Sequence, residues 1–246
     1  MMNRFKKVFG TDKPIIGMLH LLGSNDENVL AIAREETDMM FRAGVNAVLV
    51  ENYFGSTRDC INVLAMLQKE YPDKVYGVNI LGSFEDGYRL AQQYGAAFMQ
   101  VDSICGHLTP ATENYYFETV DKCRSDGNVL VLGGVRFKYQ PVRSGRRLVE
   151  DLEIAKKHCD AIVVTGTGTG IETDIKKIKE FRAFLPDFPL IVGAGMTAEN
   201  CASQLALSDG GIVGSYFKYN GDAHGRMDKD RVEAFMYAAT GGQRYD

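Results

Sequence analysis

Several classes of protein are excluded by what this sequence lacks. Its five cysteines show no paired spacing and no C-x-x-C motif, so neither a disulfide framework nor a cysteine-rich zinc site is predicted. No apolar run approaches the ~18 residues of a membrane-spanning helix, and the first residues lack the apolar region of a signal peptide. We therefore expect a cytoplasmic protein that is not inserted into a membrane.

The sequence also lacks an excess of positive charge. The formal net charge is −4, which argues against nucleic acid as a partner because nucleic-acid surfaces cluster lysine and arginine. One basic cluster, Arg143 with Arg146 and Arg147, stands beside Gly145. Charge runs more often solvate a loop than bind a ligand. A solvated loop is our prediction for this cluster, and contact with an anionic substrate is the alternative.

What the sequence does contain is eight short apolar runs that alternate with amphipathic stretches. Such runs are typical of parallel strands buried on both faces, and the alternation indicates βαβ units. The length of 246 residues also matches the roughly 250 residues of a closed barrel. We predict an α/β fold, a single (β/α)₈ TIM barrel over residues 1–246 with residues 1–12 as a short extension; an open doubly wound sheet is the competing fold. The runs cover residues 14–19, 47–50, 75–78, 98–101, 129–135, 161–164, 189–192 and 211–213.

Polar side chains follow most of these runs. Barrel enzymes carry their chemistry at the carboxyl ends of the strands, so residues at these positions are candidates for a functional site. Each one taken alone is explained by a cap or a turn. Together they predict a cluster at one mouth, made of His20, Glu51, Asn52, Asn79, Asp102, Lys138 and Thr165.

Two carboxylates and a lysine in one cleft indicate general acid–base chemistry. Crowded like charges raise the pKa of one carboxyl group and an adjacent lysine lowers it, so either Glu51 or Asp102 would be poised to take a proton. His20 and Asn79 complete the predicted catalytic set, and a Schiff base on Lys138 is an alternative. No zinc motif is present, and we predict no bound metal. Glu51, Asp102 and Asn79 would nevertheless suit Mg²⁺ held together with a phosphate.

Glycines after the last two runs predict a phosphate site, and so a barrel of the phosphate-binding type. Gly193 and Gly195 leave backbone N–H groups unobstructed, and Thr197 is predicted to open a helix whose N-terminus favours an anion. Gly214 and Ser215 would form the opposite wall of this site. Tight turns are the alternative explanation of these glycines.

Glycine and threonine alternate from Thr165 to Gly170, after the sixth run. The segment lacks the G-x-x-x-x-G-K-[ST] pattern, so it is not a P-loop. We predict a mobile loop that closes over a bound ligand. Thr165 and Thr167 are predicted to contact the substrate, as is Asn52.

Several of these stretches resemble the BtpA family, which includes the SgcQ-type proteins. The resemblance covers nearly the whole chain and implies a phosphate-binding barrel. It implies less about activity, since the family name refers to photosystem I biogenesis while other members carry a nucleosidase label. The matching stretches are residues 13–20, 46–52, 77–79, 161–166, 192–200 and 209–218, together with Asp174.

The sequence departs from the family pattern at two positions of the predicted mouth. Residues 102–106 replace a histidine-containing N-V-H-T-G stretch, and Tyr139 stands where the family pattern has histidine. The resemblance therefore leaves substrate and mechanism open.

The leading hypothesis is an enzyme that acts on a small phosphorylated sugar or riboside. Isomerisation, carbon–carbon cleavage and glycosidic cleavage all remain open, and the family label favours the last. A non-catalytic assembly factor for a membrane complex and a phosphate-ligand sensor are the alternatives. Barrels of this type often form homo-oligomers, so a second copy of the chain is a candidate partner.

Overall fold

The computed structural model describes residues 4–23 and 25–242, and its centre is a closed barrel of eight parallel strands. The strands are Ile15–Leu19 (β1), Ala47–Glu51 (β2), Val75–Asn79 (β3), Phe98–Cys105 (β4), Leu130–Val135 (β5), Ala161–Thr165 (β6), Leu190–Gly193 (β7) and Gly211–Val213 (β8). They follow one another around the barrel in sequence order, and β8 pairs with β1 to close it. The predicted (β/α)₈ TIM-barrel fold is confirmed.

Helices alternate with the strands, and several of them are preceded by a residue whose side chain caps the helix. The helices are Arg4–Phe9 (α1), Asp26–Arg42 (α2), Thr57–Glu70 (α3), Phe84–Gln93 (α4), Pro110–Arg124 (α5), Leu148–His158 (α6), Ile175–Phe184 (α7), Cys201–Leu205 (α8) and Lys229–Ala239 (α9). Ser56 begins α3 with a capping box, in which its hydroxyl accepts from the Asp59 N–H and the Asp59 carboxylate accepts from the Ser56 N–H. Asn25 and Asp228 cap α2 and α9 through their side-chain oxygens.

The core has two layers, because side chains alternate between the two faces of each strand. In β2, Ala47 and Leu49 point into the barrel interior, whereas Val48 and Val50 pack in the layer between sheet and helices. Burial of both faces explains why the strands read as continuous apolar runs.

The N-terminal extension forms a helix that closes the lower end of the barrel. Phe5 and Phe9 of α1 are buried and pack in the interior cluster, and the Phe9 ring centroid lies 5.2 Å from that of Phe98 at the start of β4. Arg4 pairs with Asp160, just before β6. The structure thus gives residues 4–9 a packing role beyond that of the predicted short extension.

Strand β4 is longer and less regular than predicted. Val101 pairs with Gly133 and Cys105 with Val135, so β4 advances four residues while β5 advances two. The bulge explains the two glycines of β5: a Cβ on Gly134 would lie 2.0 Å from the Asp102 carbonyl oxygen. Asp102 therefore lies inside the strand, at the bulge. Helix α5 begins at Pro110, after the loop that follows β4.

Candidate active site

A cavity of about 200 Å³ opens at the carboxyl ends of the strands. Its floor is apolar and comes from the barrel interior, and its walls are polar. This is the end at which barrel enzymes carry their chemistry. Nine predicted site residues line this cavity: His20, Glu51, Asp102, Lys138, Thr165, Gly193, Gly195, Gly214 and Ser215.

Asn79 joins the two carboxylates of the cavity. Its Nδ2 donates to Glu51 Oε1 at 2.7 Å and to Asp102 Oδ1 at 3.1 Å. The three residues come from neighbouring strands, since Glu51 is the register partner of Asn79 and β4 lies beside β3. Asn79 itself is buried and does not line the cavity, so it holds the carboxylates in place from behind.

The environment of Glu51 favours its protonated form. The pKa of Glu51 is raised from its ordinary 4.5 to about 7, first because the carboxyl group is buried and second because Asp102 lies nearby. Lys138 and the Asn79 hydrogen bond act in the opposite direction. A carboxyl group whose pKa lies near 7 can both give and take a proton at neutral pH.

Lys138 is held at the cavity wall by two threonines. Its backbone N–H donates to Thr165 Oγ1 at 2.9 Å, and its Nζ donates to Thr169 Oγ1 at 3.0 Å. Its ammonium group also affects the pKa of Glu51, which places the two side chains in one electrostatic site.

His20 is a neutral imidazole in this site. Burial lowers the pKa of His20 to about 3, and the positive charges of Lys218 and Lys138 lower it further. A hydrogen bond to the backbone of Ala223 opposes this shift. A Cβ on Gly214 would lie 2.9 Å from two atoms of the ring, so the glycine allows the imidazole to pack against β8. His20 is therefore suited to hydrogen bonding and not to carrying charge.

The glycine loops after β7 and β8 lie at the cavity, as predicted. The helix after β7, however, does not begin at Thr197. Helix α8 starts at Cys201 and has five residues, so that prediction was wrong. The Asn200 side chain instead accepts from the Thr197 N–H within a turn. Gly195 has a positive φ of 67°, and a Cβ there would lie 2.3 Å from the Ile171 backbone. Close packing of the loop after β6 is thus one reason for this glycine.

Two predicted contact residues lie outside the cavity lining. Asn52 Oδ1 accepts from the Leu81 N–H at 2.8 Å, so this side chain orders the turn after β3. Thr167 is exposed and does not line the cavity, whereas Thr169, two residues later, does.

The basic cluster divides between two environments. Arg146 donates to Glu113 at 2.7 Å and to Asp151 at 2.9 Å, and both carboxylates are buried. Arg136 also pairs with Asp151. The prediction of a solvated loop was therefore wrong for Arg146, which fixes the loop after β5, while the side chain of Arg147 is 80% exposed.

Polar cavity residues that the sequence prediction missed include Tyr53, Gln100, Tyr139 and Thr169. Gln100 is buried in the middle of the apolar run of β4, and an isolated polar residue in such a run could have revealed it. Tyr139 was noted only as a departure from the family pattern. Tyr53 stands in a segment without periodicity and gave no signal. Thr169 lies in the segment that was predicted to close over a ligand, but Thr165 and Thr167 were named there instead.

Of the three residues whose types suggested an Mg²⁺ site, Asn79 is not placed as a ligand. Asn79 presents its Nδ2 to both carboxylates, and a nitrogen that donates hydrogen bonds is not a ligand for Mg²⁺. Within residues 4–23 and 25–242, no group of three or more His, Cys, Asp or Glu side chains is arranged to hold a metal.

In the part of the chain that the structure describes, no helix has the length and apolar character needed to cross a membrane. Each of the five cysteines is a free thiol.

Solved structures with low sequence identity share this fold. The native KDPGal structure matches with a TM-score of 0.66 and 16% identity, covering 94% of this chain and 97% of that one. Phosphoribosyl anthranilate isomerase from Thermus thermophilus matches with a TM-score of 0.60 and 14% identity, covering 93% and 98%. Identities this low support the fold alone.

Curated relatives match over nearly their whole length. An uncharacterized protein of Methanocaldococcus jannaschii is 28% identical, over 97% of this chain and 98% of its own. The photosystem I biogenesis protein BtpA of Synechocystis is 23% identical, over 96% and 91%. The SgcQ protein of Escherichia coli is 24% identical, over 96% and 97%. The sequence profile of the BtpA family matches residues 11–241, and the chain belongs to the BtpA family.

Proposed function

We propose that the protein is an enzyme that acts on a small phosphorylated sugar or riboside by acid–base catalysis. The observation that carries the proposal is the carboxylate pair joined by Asn79, at the wall of a cavity that also contains Lys138. A buried acid with a pKa near 7 beside a second carboxylate and an ammonium group is typical of catalytic sites. At a position without a function, the same burial would only lower the stability of the fold.

In the proposed mechanism, Glu51 moves the proton. At neutral pH its carboxylate takes a proton from a sugar hydroxyl or carbon, or its protonated form gives one to a leaving oxygen or nitrogen. Asn79 keeps Asp102 and Glu51 at a fixed separation. While Glu51 carries the proton, the Asp102 carboxylate would stabilise positive charge that develops on the sugar.

Lys138 and the glycine loops support the phosphorylated part of the proposal. Among the described residues that line the cavity, Lys138 provides the ammonium group that would stabilise an anion. Gly193, Gly195, Gly214 and Ser215 line the same cavity and would present backbone and hydroxyl groups to phosphate oxygens. By their names, solved neighbours such as thiamine phosphate pyrophosphorylase and phosphoribosyl anthranilate isomerase handle phosphorylated compounds.

A substrate screen tests the proposal. The purified protein would be incubated with pooled sugar phosphates, nucleosides and nucleotides, and consumption followed by mass spectrometry. We expect one compound class to be consumed by the wild type and by the surface control Glu118→Gln, but not by Glu51→Gln or Asp102→Asn. The proposal fails if no compound is consumed and these two substitutions leave ligand-dependent melting unchanged.

A second candidate function is assembly of a membrane complex without catalysis. The relative that favours it is the photosystem I biogenesis protein BtpA, which matches 96% of this chain. This role predicts a partner that co-purifies with the chain and is retained in Glu51→Gln, because a scaffold does not need an ionisable carboxyl group. Co-purification that depends on Glu51 would contradict it.

A further inference from the structure

The segment between β6 and α7, residues 166–174, makes contacts on several sides of the cavity mouth. Thr169, near the middle of this segment, lines the cavity. The Thr169 hydroxyl accepts from Lys138 Nζ at 3.0 Å and lies 3.1 Å from the Tyr53 hydroxyl oxygen. The Thr169 backbone N–H donates to the Tyr139 hydroxyl oxygen at 2.8 Å. One residue therefore makes three hydrogen bonds to side chains from two other loops.

These partners come from separate parts of the barrel. Tyr53 follows β2, whereas Lys138 and Tyr139 follow β5, and two strands lie between β2 and β5 around the barrel. The segment also contacts β7, where Thr173 Oγ1 donates to the Gly193 carbonyl oxygen at 3.1 Å. Residues 166–174 are thus connected to loops around the mouth.

The backbone at Tyr139 is adapted to this contact. Tyr139 has a φ of 63°, which is uncommon for a residue with a bulky side chain and costs free energy. Its ring is exposed, so burial of the ring does not repay that cost, whereas its hydroxyl group accepts the Thr169 N–H. The conformation is therefore explained by the hydrogen bond to the segment.

We propose that Thr169 is a positioning residue for Lys138, and that residues 166–174 form a lid held closed through it. A lysine side chain is long and flexible, so an ammonium group with a fixed acceptor is kept in one place at the cavity wall. Hydrogen bonds that involve a charged group are also stronger than neutral ones. The inference rests on the proposed function only in that Lys138 takes part there in binding the substrate anion.

Reactivity of Lys138 in the ligand-free protein tests the assignment. The rate of acylation of Lys138 by an amine-specific reagent would be measured by peptide mass spectrometry in the wild type, Thr169→Val, Thr169→Ser and Thr167→Val. Valine keeps the branched shape and removes the hydroxyl group, whereas serine keeps the hydroxyl group. Thr167→Val is the matched control in the same segment, and the exposed Lys179 is the internal reference.

We expect Thr169→Val to acylate at Lys138 about tenfold faster, since a lost hydrogen bond changes an equilibrium by about that factor. Thr169→Ser and Thr167→Val should react like the wild type, and Lys179 should not change. Hydrogen exchange should accelerate within residues 166–174 in Thr169→Val, and at the Thr169 amide in Tyr139→Phe.

The assignment is overturned if Lys138 reacts at the wild-type rate in Thr169→Val. It is also overturned if Thr169→Ser shows the same increase, or if Lys179 and amides throughout the barrel change as well, because these results would indicate general loosening. Both measurements use ligand-free protein, so they are independent of the substrate screen. Faster acylation with no compound consumed would support the lid and count against the proposed function.

Discussion

Replacement of Glu51 by glutamine should change the pH dependence of stability in a defined direction. Glutamine keeps the shape of the side chain and an oxygen that accepts from Asn79, but it cannot ionise. In the folded wild type, the pKa of Glu51 is raised to about 7 from its ordinary 4.5. The folded protein therefore retains a proton at this site over a pH range in which the unfolded chain has lost it.

The sign of the effect follows from proton binding. Because the folded state binds more protons between pH 4.5 and about 7, the wild type loses stability as the pH rises through this range. At 1.36 kcal/mol per pH unit, the loss is about 3 kcal/mol. The group is buried, so solvent does not screen this contribution strongly. Glu51→Gln lacks the titration and should escape the loss.

The assay is urea denaturation of wild type and variant at about pH 4 and about pH 8, with unfolding free energies compared at each pH. The variant should be close to the wild type in acid and more stable than it by about 3 kcal/mol at the higher pH. Glu118→Gln, at an exposed position of α5, should show the same difference at both pH values. If the difference between Glu51→Gln and the wild type is also the same at both pH values, Glu51 titrates normally and the argument from burial is refuted.

Three further predictions concern the rest of the barrel. Phe9→Ala should lower the free energy of unfolding by about 3–5 kcal/mol in urea denaturation, because it empties the contact with Phe98 below the barrel; an unchanged midpoint would contradict this packing role. Asp151→Asn should lower it by about 2 kcal/mol or more, since it leaves the two arginines after β5 without their shared buried carboxylate, and salt should not reproduce the effect. Gly214→Ala should displace the His20 ring, visible as a change in its imidazole NMR signals while the melting temperature changes little; unchanged signals would contradict the contact.

The strands and many of their polar ends could be predicted from the sequence because their signals are local. An apolar run buried on both faces ends where a polar residue follows, and this rule located Glu51 and Asn79 within a residue of their strand ends. Asp102 was also assigned to the cavity, although β4 continues past it. The bulge that places Asp102 depends on pairing with β5, and a pairing between strands is not visible in either strand alone.

The loops could be predicted less well, because nothing periodic orients their side chains. Thr167 and Thr169 occupy equivalent places in a glycine–threonine alternation, and only contacts with other loops direct Thr169 to the cavity. The same holds for Arg146, whose partners are distant in sequence. Helix α1 was missed because a six-residue helix is not stable by itself and gives little signal in the sequence. It is stabilised by the packing of Phe5 and Phe9 against the barrel, which the sequence does not show.

The position of α1 has a practical consequence for work with the purified protein. Because α1 packs at the amino-terminal ends of the strands, an affinity tag or sensor surface attached ahead of it is held on the side opposite the cavity. Immobilisation through the amino terminus should therefore leave ligands free to reach the site. Removal of the residues that precede β1 would instead expose the amino-terminal end of the barrel interior to solvent. A protein shortened in this way would be a poor choice for screening.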